Sequence, residues 1–197
     1  MRGLLIVLSG PAGVGKGTIL RQARTYLPQL TESISITTRP PRPGEVEGRE
    51  YFFRSPQELA RLVAEDAFLE WARYLDHAYG TPRQWVMEQL QAGKDVVLEI
   101  EVQGARQVRQ RVPEAVLVFV LPPSYQELAE RLRGRQTETP EMLERRLQAA
   151  REEFVSIGQY DYLIINDKIE QAVDDFCCIV RSEHLRPGRL DLSSLQL

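Results

Sequence analysis

Leu4 to Leu8 is an uninterrupted apolar run, the pattern of a strand covered on both faces. Val96 to Glu101, Ala115 to Leu121 and Tyr162 to Ile165 repeat it. Helical patterns lie between these runs. One spans Gly17 to Tyr26 and is stopped by Pro28, another spans Gln103 to about Arg111, and a closing helix spans Glu170 to Glu183. Ser55-Pro56-Gln57-Glu58 reads as a capping box, and the helix it opens carries Leu59, Leu62 and Val63 on one face. Thr81-Pro82-Arg83-Gln84 reads as a second box, opening a helix that ends at Gly93. Ser124-Tyr125-Gln126-Glu127 caps a helix to about Arg133, and Thr139-Pro140 starts a long one to about Ile157. Apolar strands alternating with helices predict an α/β fold, a parallel sheet flanked by helices.

Two stretches break the alternation. Residues 35–80 are polar and Pro-rich, with short strands expected at Ser33 to Thr37 and Tyr51 to Phe53 and an extended segment from Phe68 to Tyr74. Residues 124–157 hold two Arg-bearing helices around an Arg- and Thr-rich link. Both read as lobes standing off one core. The last residues, with Pro187 and Gly188, read as a tail.

Composition narrows the class. With 43% hydrophobic and 27% charged residues over 197 positions, the chain can bury a sizeable core and is neither disordered nor fibrous. The longest apolar runs, such as Val116 to Pro123, are far too short to span a membrane. Leu4 to Leu8 is too short for a signal-peptide core, and Gly-rich sequence follows it. The only cysteines, Cys177 and Cys178, are adjacent; that disfavours a disulfide framework, fits a reducing cytosol and suggests a packing role. A net charge of −3 gives no bulk reason to expect nucleic acid or a membrane surface as a partner. The cations are almost all Arg, twenty-two against three Lys, and Arg is the better fork for phosphate oxygens. His77 and His184 have no partner pattern and are expected at the surface.

The chemistry is concentrated in two clusters. Gly10-Pro11-Ala12-Gly13-Val14-Gly15-Lys16 fits the P-loop spacing and lies between a predicted strand and a predicted helix. Glycines let backbone N–H groups point at a phosphate, the helix start adds positive potential, and Lys reaches the β- and γ-phosphates. Gly17 stands where Ser or Thr is common, and Thr18 follows it. The second cluster runs from Ser33 through Arg39-Pro40-Pro41-Arg42-Pro43-Gly44-Glu45 to Gly48 and Tyr51-Phe52-Phe53. Two Arg in a stiff loop beside hydroxyls suit a phosphate dianion.

This second cluster, of the form S-I-S-x-T-T-R-x-P-R-x-G-E-x-x-G-x-x-Y-x-F, resembles the signature of guanylate kinases, which are P-loop nucleoside monophosphate kinases. The likeness continues through Phe68 to Ala72, Tyr79 to Pro82, Glu99 to Ala105, Leu121 to Ser124, Arg131 to Arg135, Arg145 to Leu147, Tyr160 to Tyr162 and Ile165 to Asp167. The resemblance implies one guanylate-kinase-like domain over residues 1–197, with its core at about 1–34, 82–123 and 158–190. It implies an inserted mixed α/β GMP-binding lobe at about 35–81 and a helical lid at about 124–157. The activity it implies is transfer of the γ-phosphoryl group of ATP to GMP and dGMP in purine nucleotide metabolism, in the cytoplasm, with Mg2+. No nucleic acid, membrane or obligatory protein partner is implied.

Residue by residue, the resemblance gives Gly10 through Thr18 to ATP and Ser35, Glu70, Thr81 and Glu101 to the guanine. Arg39, Arg42, Tyr51 and Tyr79 match the positions that hold the GMP phosphate. Lys16, Arg39, Arg131, Arg135 and Arg146 match the catalytic positive charges, and Glu99 matches a position linked to magnesium through water, with Thr18 a further candidate ligand. The chemistry agrees, since a carboxylate can accept from guanine N1–H and N2–H₂ together, a donor pair adenine lacks. Glu99 and Glu101, two apart, are expected on one strand face, and Arg131 and Arg135, four apart, on one helix face. Glu at 99 and 101 replaces the frequent Asp, and Gln136 a frequent Gly. A phosphopeptide-binding module of the same fold is the rival class, but such modules have degraded P-loops. A kinase for another small acceptor is the other alternative.

Overall fold

The computed structural model describes residues 3–74, 76–134 and 140–190. The chain begins with β1 (Leu5–Ser9), α1 (Lys16–Tyr26), β2 (Leu30–Glu32), β3 (Ile36–Thr37) and β4 (Phe52–Phe53). It continues through α2 (Pro56–Ala64), β5 (Phe68–Tyr74), β6 (His77–Pro82), α3 (Arg83–Gln91), β7 (Asp95–Glu99) and α4 (Val102–Arg111). Then come β8 (Val116–Leu121), α5 (Tyr125–Arg133), α6 (Pro140–Phe154), β9 (Tyr162–Ile165) and α7 (Ile169–His184).

Five strands form an all-parallel sheet in the order β2-β7-β1-β8-β9. Its apolar runs are explained by two separate cores. Ile6 and Leu8 of β1 join Val116, Val118 and Val120 on one face, packed under α1 and α7 through Ile19, Ala23, Val173 and Phe176. Leu5 and Val7 join Val96, Leu98 and Leu117 on the other, packed under α3 and α4 through Val86, Leu90, Ala105 and Val108. Successive side chains point to opposite faces, so a strand covered on both sides has no polar positions to spare.

A second sheet, β4-β3-β6-β5, comes from the Pro-rich stretch. β3 pairs with β4 in parallel and with β6 antiparallel, and β5 pairs with β6 antiparallel. Helix α2 covers this sheet with Leu59 against Phe68 and Ala78. Its capping box forms as expected, Ser55 Oγ accepting from Glu58 N at 3.2 Å while the Glu58 carboxylate accepts from Ser55 N at 2.9 Å. Helices α5 and α6 pack together through Leu128, Leu132, Leu143, Leu147 and Ala150, and reach Ala12 in the loop after β1.

Several local expectations are corrected. Ser33 to Thr37 is not one strand: β2 ends at Glu32, β3 starts at Ile36, and the two belong to different sheets. Thr81 caps no helix. It lies in β6, α3 starts behind Pro82 without a side-chain cap, and the Thr81 hydroxyl donates to Glu70 instead. The long helix ends at Phe154 and is followed by a 3-10 turn at Ile157–Gln159. The tail residues Pro187–Arg189 form a second such turn, tied down by Arg189 to Glu183. His184 does have a partner, its Nε2 lying 2.8 Å from Asp95 Oδ2. Cys177 is buried in the core as packing, whereas Cys178 is exposed. No helix among the described residues is long and apolar enough to cross a membrane.

Candidate active site

The carboxyl ends of β1 and β7 open into a cleft of about 580 Å³ that also takes in the second sheet. Crevices beyond the carboxyl ends of parallel strands are where open α/β sheets bind ligands. The loop Gly10 to Lys16 forms one wall. Two of its glycines are required by geometry. At Gly10, φ is 135° and a Cβ would overlap the Val120 carbonyl of the neighbouring strand. At Gly15, φ is 100° and a Cβ would overlap the amide nitrogen of Asn166. Pro11 and Val14 are buried, so they shape the loop from beneath while Ala12, Gly13, Gly15, Lys16, Gly17 and Thr18 line the cleft. The Lys16 ammonium donates to the Gly10 and Pro11 carbonyls at 2.6 and 3.3 Å. This places a cation over a loop whose helix start already favours anions.

The opposite wall comes from the second sheet. Arg39, Arg42, Tyr51, Tyr79, Ser35 and Glu70 all line the same cleft. Arg39 is nearly buried; its guanidinium donates to Glu45 Oε1 at 2.8 Å and to the Pro40 carbonyl, and it stands 5.4 Å from the centre of the Tyr51 ring. Glu45 also accepts from the Arg42 backbone N–H at 2.7 Å, so one carboxylate folds the arginine loop. That charge-assisted bond from Arg39 holds the Glu45 carboxyl below its ordinary range.

Glu70 is 4% exposed and sits where β5 carries a bulge relative to β6. The extra residue sends Leu69 into the core and sets Glu70 opposite Thr81, whose hydroxyl donates to it at 2.6 Å. Burial, with a smaller push from Glu101, raises the Glu70 carboxyl to about 7. Gly104 in α4 lies against this carboxyl, and a Cβ there would overlap Oε2.

Glu99 and Glu101 line the cleft too, but not from one strand face: β7 ends at Glu99, and Glu101 is the N-cap of α4. Glu99 reaches the start of α1, where a Cβ on Gly17 would stand 3.3 Å from its Oε2. Glu99 and Thr18 therefore offer hard oxygen donors beside the phosphate loop, a sparse set that suits Mg2+ completed by phosphate oxygens and water. Arg146 of α6 lines the cleft as expected. Arg131 does not reach it here, since it donates to Glu127 at 2.9 Å and to the Asn166 carbonyl at 3.0 Å. Arg135 lies outside the described residues.

A family model described as guanylate kinase matches residues 2–183. The chain belongs to the guanylate kinase family. It is 49% identical over 189 residues to a guanylate kinase of Halalkalibacterium halodurans, covering 96% of this chain and 93% of that one. It is 55% identical over 170 residues to one of Gloeobacter violaceus, covering 86% and 83%. The crystal structure of guanylate kinase from Anaplasma phagocytophilum superposes with a TM-score of 0.79 at 31% identity, over 95% of this chain and 89% of that one. A shikimate kinase structure from Bacteroides thetaiotaomicron, 18% identical with a TM-score of 0.50, shares the fold. The enzyme activity of the family is ATP-dependent phosphorylation of GMP to GDP, and it is the activity of this chain.

Three residues of the site carried no assigned role in the sequence. Glu45 stood inside the recognised motif and was detectable from its spacing to Arg39 and Arg42. Asn166, whose amide donates to the Val14 carbonyl at 2.8 Å, and Glu153 of α6 had no local signal that could assign them.

Proposed function

We propose that the cleft holds ATP on the Gly10 to Thr18 loop and GMP or dGMP on the second sheet, and joins them by direct transfer. Residues 35–81 are then the acceptor lobe and 124–157 the lid. In this reading Glu70, Thr81, Ser35 and Glu101 face the guanine, and Arg39, Arg42, Tyr51 and Tyr79 hold its phosphate. A GMP phosphate oxygen bonds to the γ-phosphorus as the bond to the β,γ-bridging oxygen breaks, leaving ADP and GDP. Little covalent help is needed. Lys16, Arg39 and Arg146, joined by Arg131 and Arg135 from the lid, align the two phosphates and offset charge on the equatorial oxygens. Glu99 and Thr18 would hold Mg2+, which when bound draws charge from the β- and γ-phosphate oxygens. A cytoplasmic enzyme of purine nucleotide metabolism follows from these substrates.

The single observation that carries the reading is the juxtaposition of Lys16 with a buried, hydroxyl-bonded Glu70 in one cleft. A lone P-loop would fit any nucleotide-driven reaction, whereas a buried carboxyl in the cleft, once ionised, favours an acceptor that offers it paired donors. The test is ADP release by the purified chain with GMP, dGMP, AMP, CMP and UMP, with and without Mg2+. GMP and dGMP should be used far ahead of the rest, and only with the metal. Equal use of AMP or UMP would refute the acceptor reading.

A further inference from the structure

Strand β5 lies at an edge of the second sheet, so one side of its backbone has no strand partner. Helix α4, which belongs to the parallel core, takes that side. The Gln107 amide bonds to the Trp71 backbone twice. Its Nε2 donates to the Trp71 carbonyl at 2.6 Å, and its Oε1 accepts from the Trp71 N–H at 3.2 Å. These are the two bonds a neighbouring strand would supply. One turn on, Arg111 donates to the Phe68 carbonyl at 3.1 Å and to Asp66 at 2.7 Å. One turn back, Gly104 lies against the Glu70 carboxyl, where a Cβ would stand 2.4 Å from Oε2. Positions 104, 107 and 111 share one helix face. The bulge of β5 falls inside this grip, with Leu69 in the core cluster of Ala105 and Val108 and Glu70 in the cleft lining. A bulge interrupts the ladder to the partner strand, so β6 by itself holds this part of β5 loosely.

We infer that Gln107 is a positioning residue for base selection: by clamping both backbone groups of Trp71 it fixes the bulge and sets the Glu70 carboxyl toward the acceptor base. Gln107 is not among the residues that line the cleft; it acts through the backbone of the residue that follows Glu70. Arg111 holds the other side of the bulge, and Gly104 leaves the room the carboxyl occupies. The face that Glu70 presents is therefore set by a core helix as well as by its own sheet. The inference rests on Glu70 as the guanine contact.

The experiment is steady-state kinetics on the full chain with GMP, AMP and ATP varied in turn, folding being checked by circular dichroism. Gln107→Met keeps the length of the side chain and removes both bonds. It should raise the KM for GMP about five- to tenfold and lower the GMP-to-AMP ratio of kcat/KM by a similar factor, with the KM for ATP within about twofold of wild type. Gln107→Ala repeats the comparison if the Met variant misfolds. The decisive arm is the same substitution in a Glu70→Gln background. A residue that acts through Glu70 should there change the ratio by less than about twofold. The inference is overturned if the Gln107 variants match wild type, if the KM for ATP rises alongside that for GMP, or if the ratio falls as far in the Glu70→Gln background as in wild type. A Glu70→Gln chain that keeps wild-type discrimination would instead overturn the guanine reading of Glu70 itself.

Discussion

If Glu70 reads the guanine as proposed, GMP binding should release a proton. The Glu70 carboxyl, pushed up to about 7 by burial, must be ionised to accept from both N1–H and N2–H₂ of guanine. At pH 6 about one site in eleven is ionised, and at pH 8 about ten in eleven, so GMP affinity should be about tenfold lower at pH 6. The GMP phosphate titrates near pH 6 and adds a slope of its own. Glu70→Gln removes the carboxyl and keeps that phosphate slope, so the difference between the two proteins isolates Glu70. Isothermal titration in two buffers of unlike ionisation heat, at pH 6, 7 and 8, counts the protons. Wild type should release about half a proton more than the variant at pH 7. Equal proton counts and equal pH slopes would refute the assignment. The same group shapes stability. Its folded value lies above the ordinary 4.5, so its contribution is whole below about pH 4.5 and is lost as pH rises through 7. About 3 kcal/mol is at stake, and Glu70→Gln should gain on wild type in urea unfolding between pH 5 and 8.

Lys16→Ala should leave the far-ultraviolet spectrum intact and lower kcat by several orders of magnitude, because its charge acts where phosphate charge shifts in the transition state; near-normal kcat would refute the loop assignment. Arg42→Ala should weaken GMP binding and leave ATP binding without GMP unchanged by calorimetry; an equal loss for ATP would place the loop at the wrong nucleotide. Gly104→Ala sets a methyl into the Glu70 carboxyl, which is too buried to swing aside, so KM for GMP should rise at least tenfold at a stability cost of about 1–3 kcal/mol. Asn166→Ala removes the donor to the Val14 carbonyl and should cost about 1–3 kcal/mol in thermal or urea unfolding, with KM for ATP rising more than KM for GMP.

The parallel core was legible because burial on both faces writes a continuous apolar run, as in Leu5 to Leu8 and Val116 to Val120. The second sheet was harder. β3 and β4 are two residues each, and β6 contains Gly80 and Pro82, so no period can build up. Thr81 misled for a definite reason: its sequence context fits a helix cap, but its hydroxyl serves Glu70 across the strand pair, a partner eleven residues away. The placement of Glu70 depends on a bulge that only pairing reveals. The Gly10 to Thr18 loop that lines the cleft was legible from spacing, since one short segment holds it. Asn166 was not, because its partner Val14 is brought to it only by the tertiary fold. Arg131 was anticipated as a catalytic charge, but here it is held by Glu127 and the Asn166 carbonyl.

In the proposed site the second sheet selects guanine through Glu70. The most direct measurement is kcat/KM for GMP and for AMP in wild type and Glu70→Gln. The amide replaces one accepting oxygen with a donor, and the lost charge-assisted bonds are worth about 1.5–3 kcal/mol. The GMP-to-AMP ratio should therefore fall roughly 10- to 100-fold, with AMP helped because its N1 acceptor and N6 donor match an amide. An unchanged ratio would contradict the claim and leave base selection to Glu101, Ser35 and Thr81.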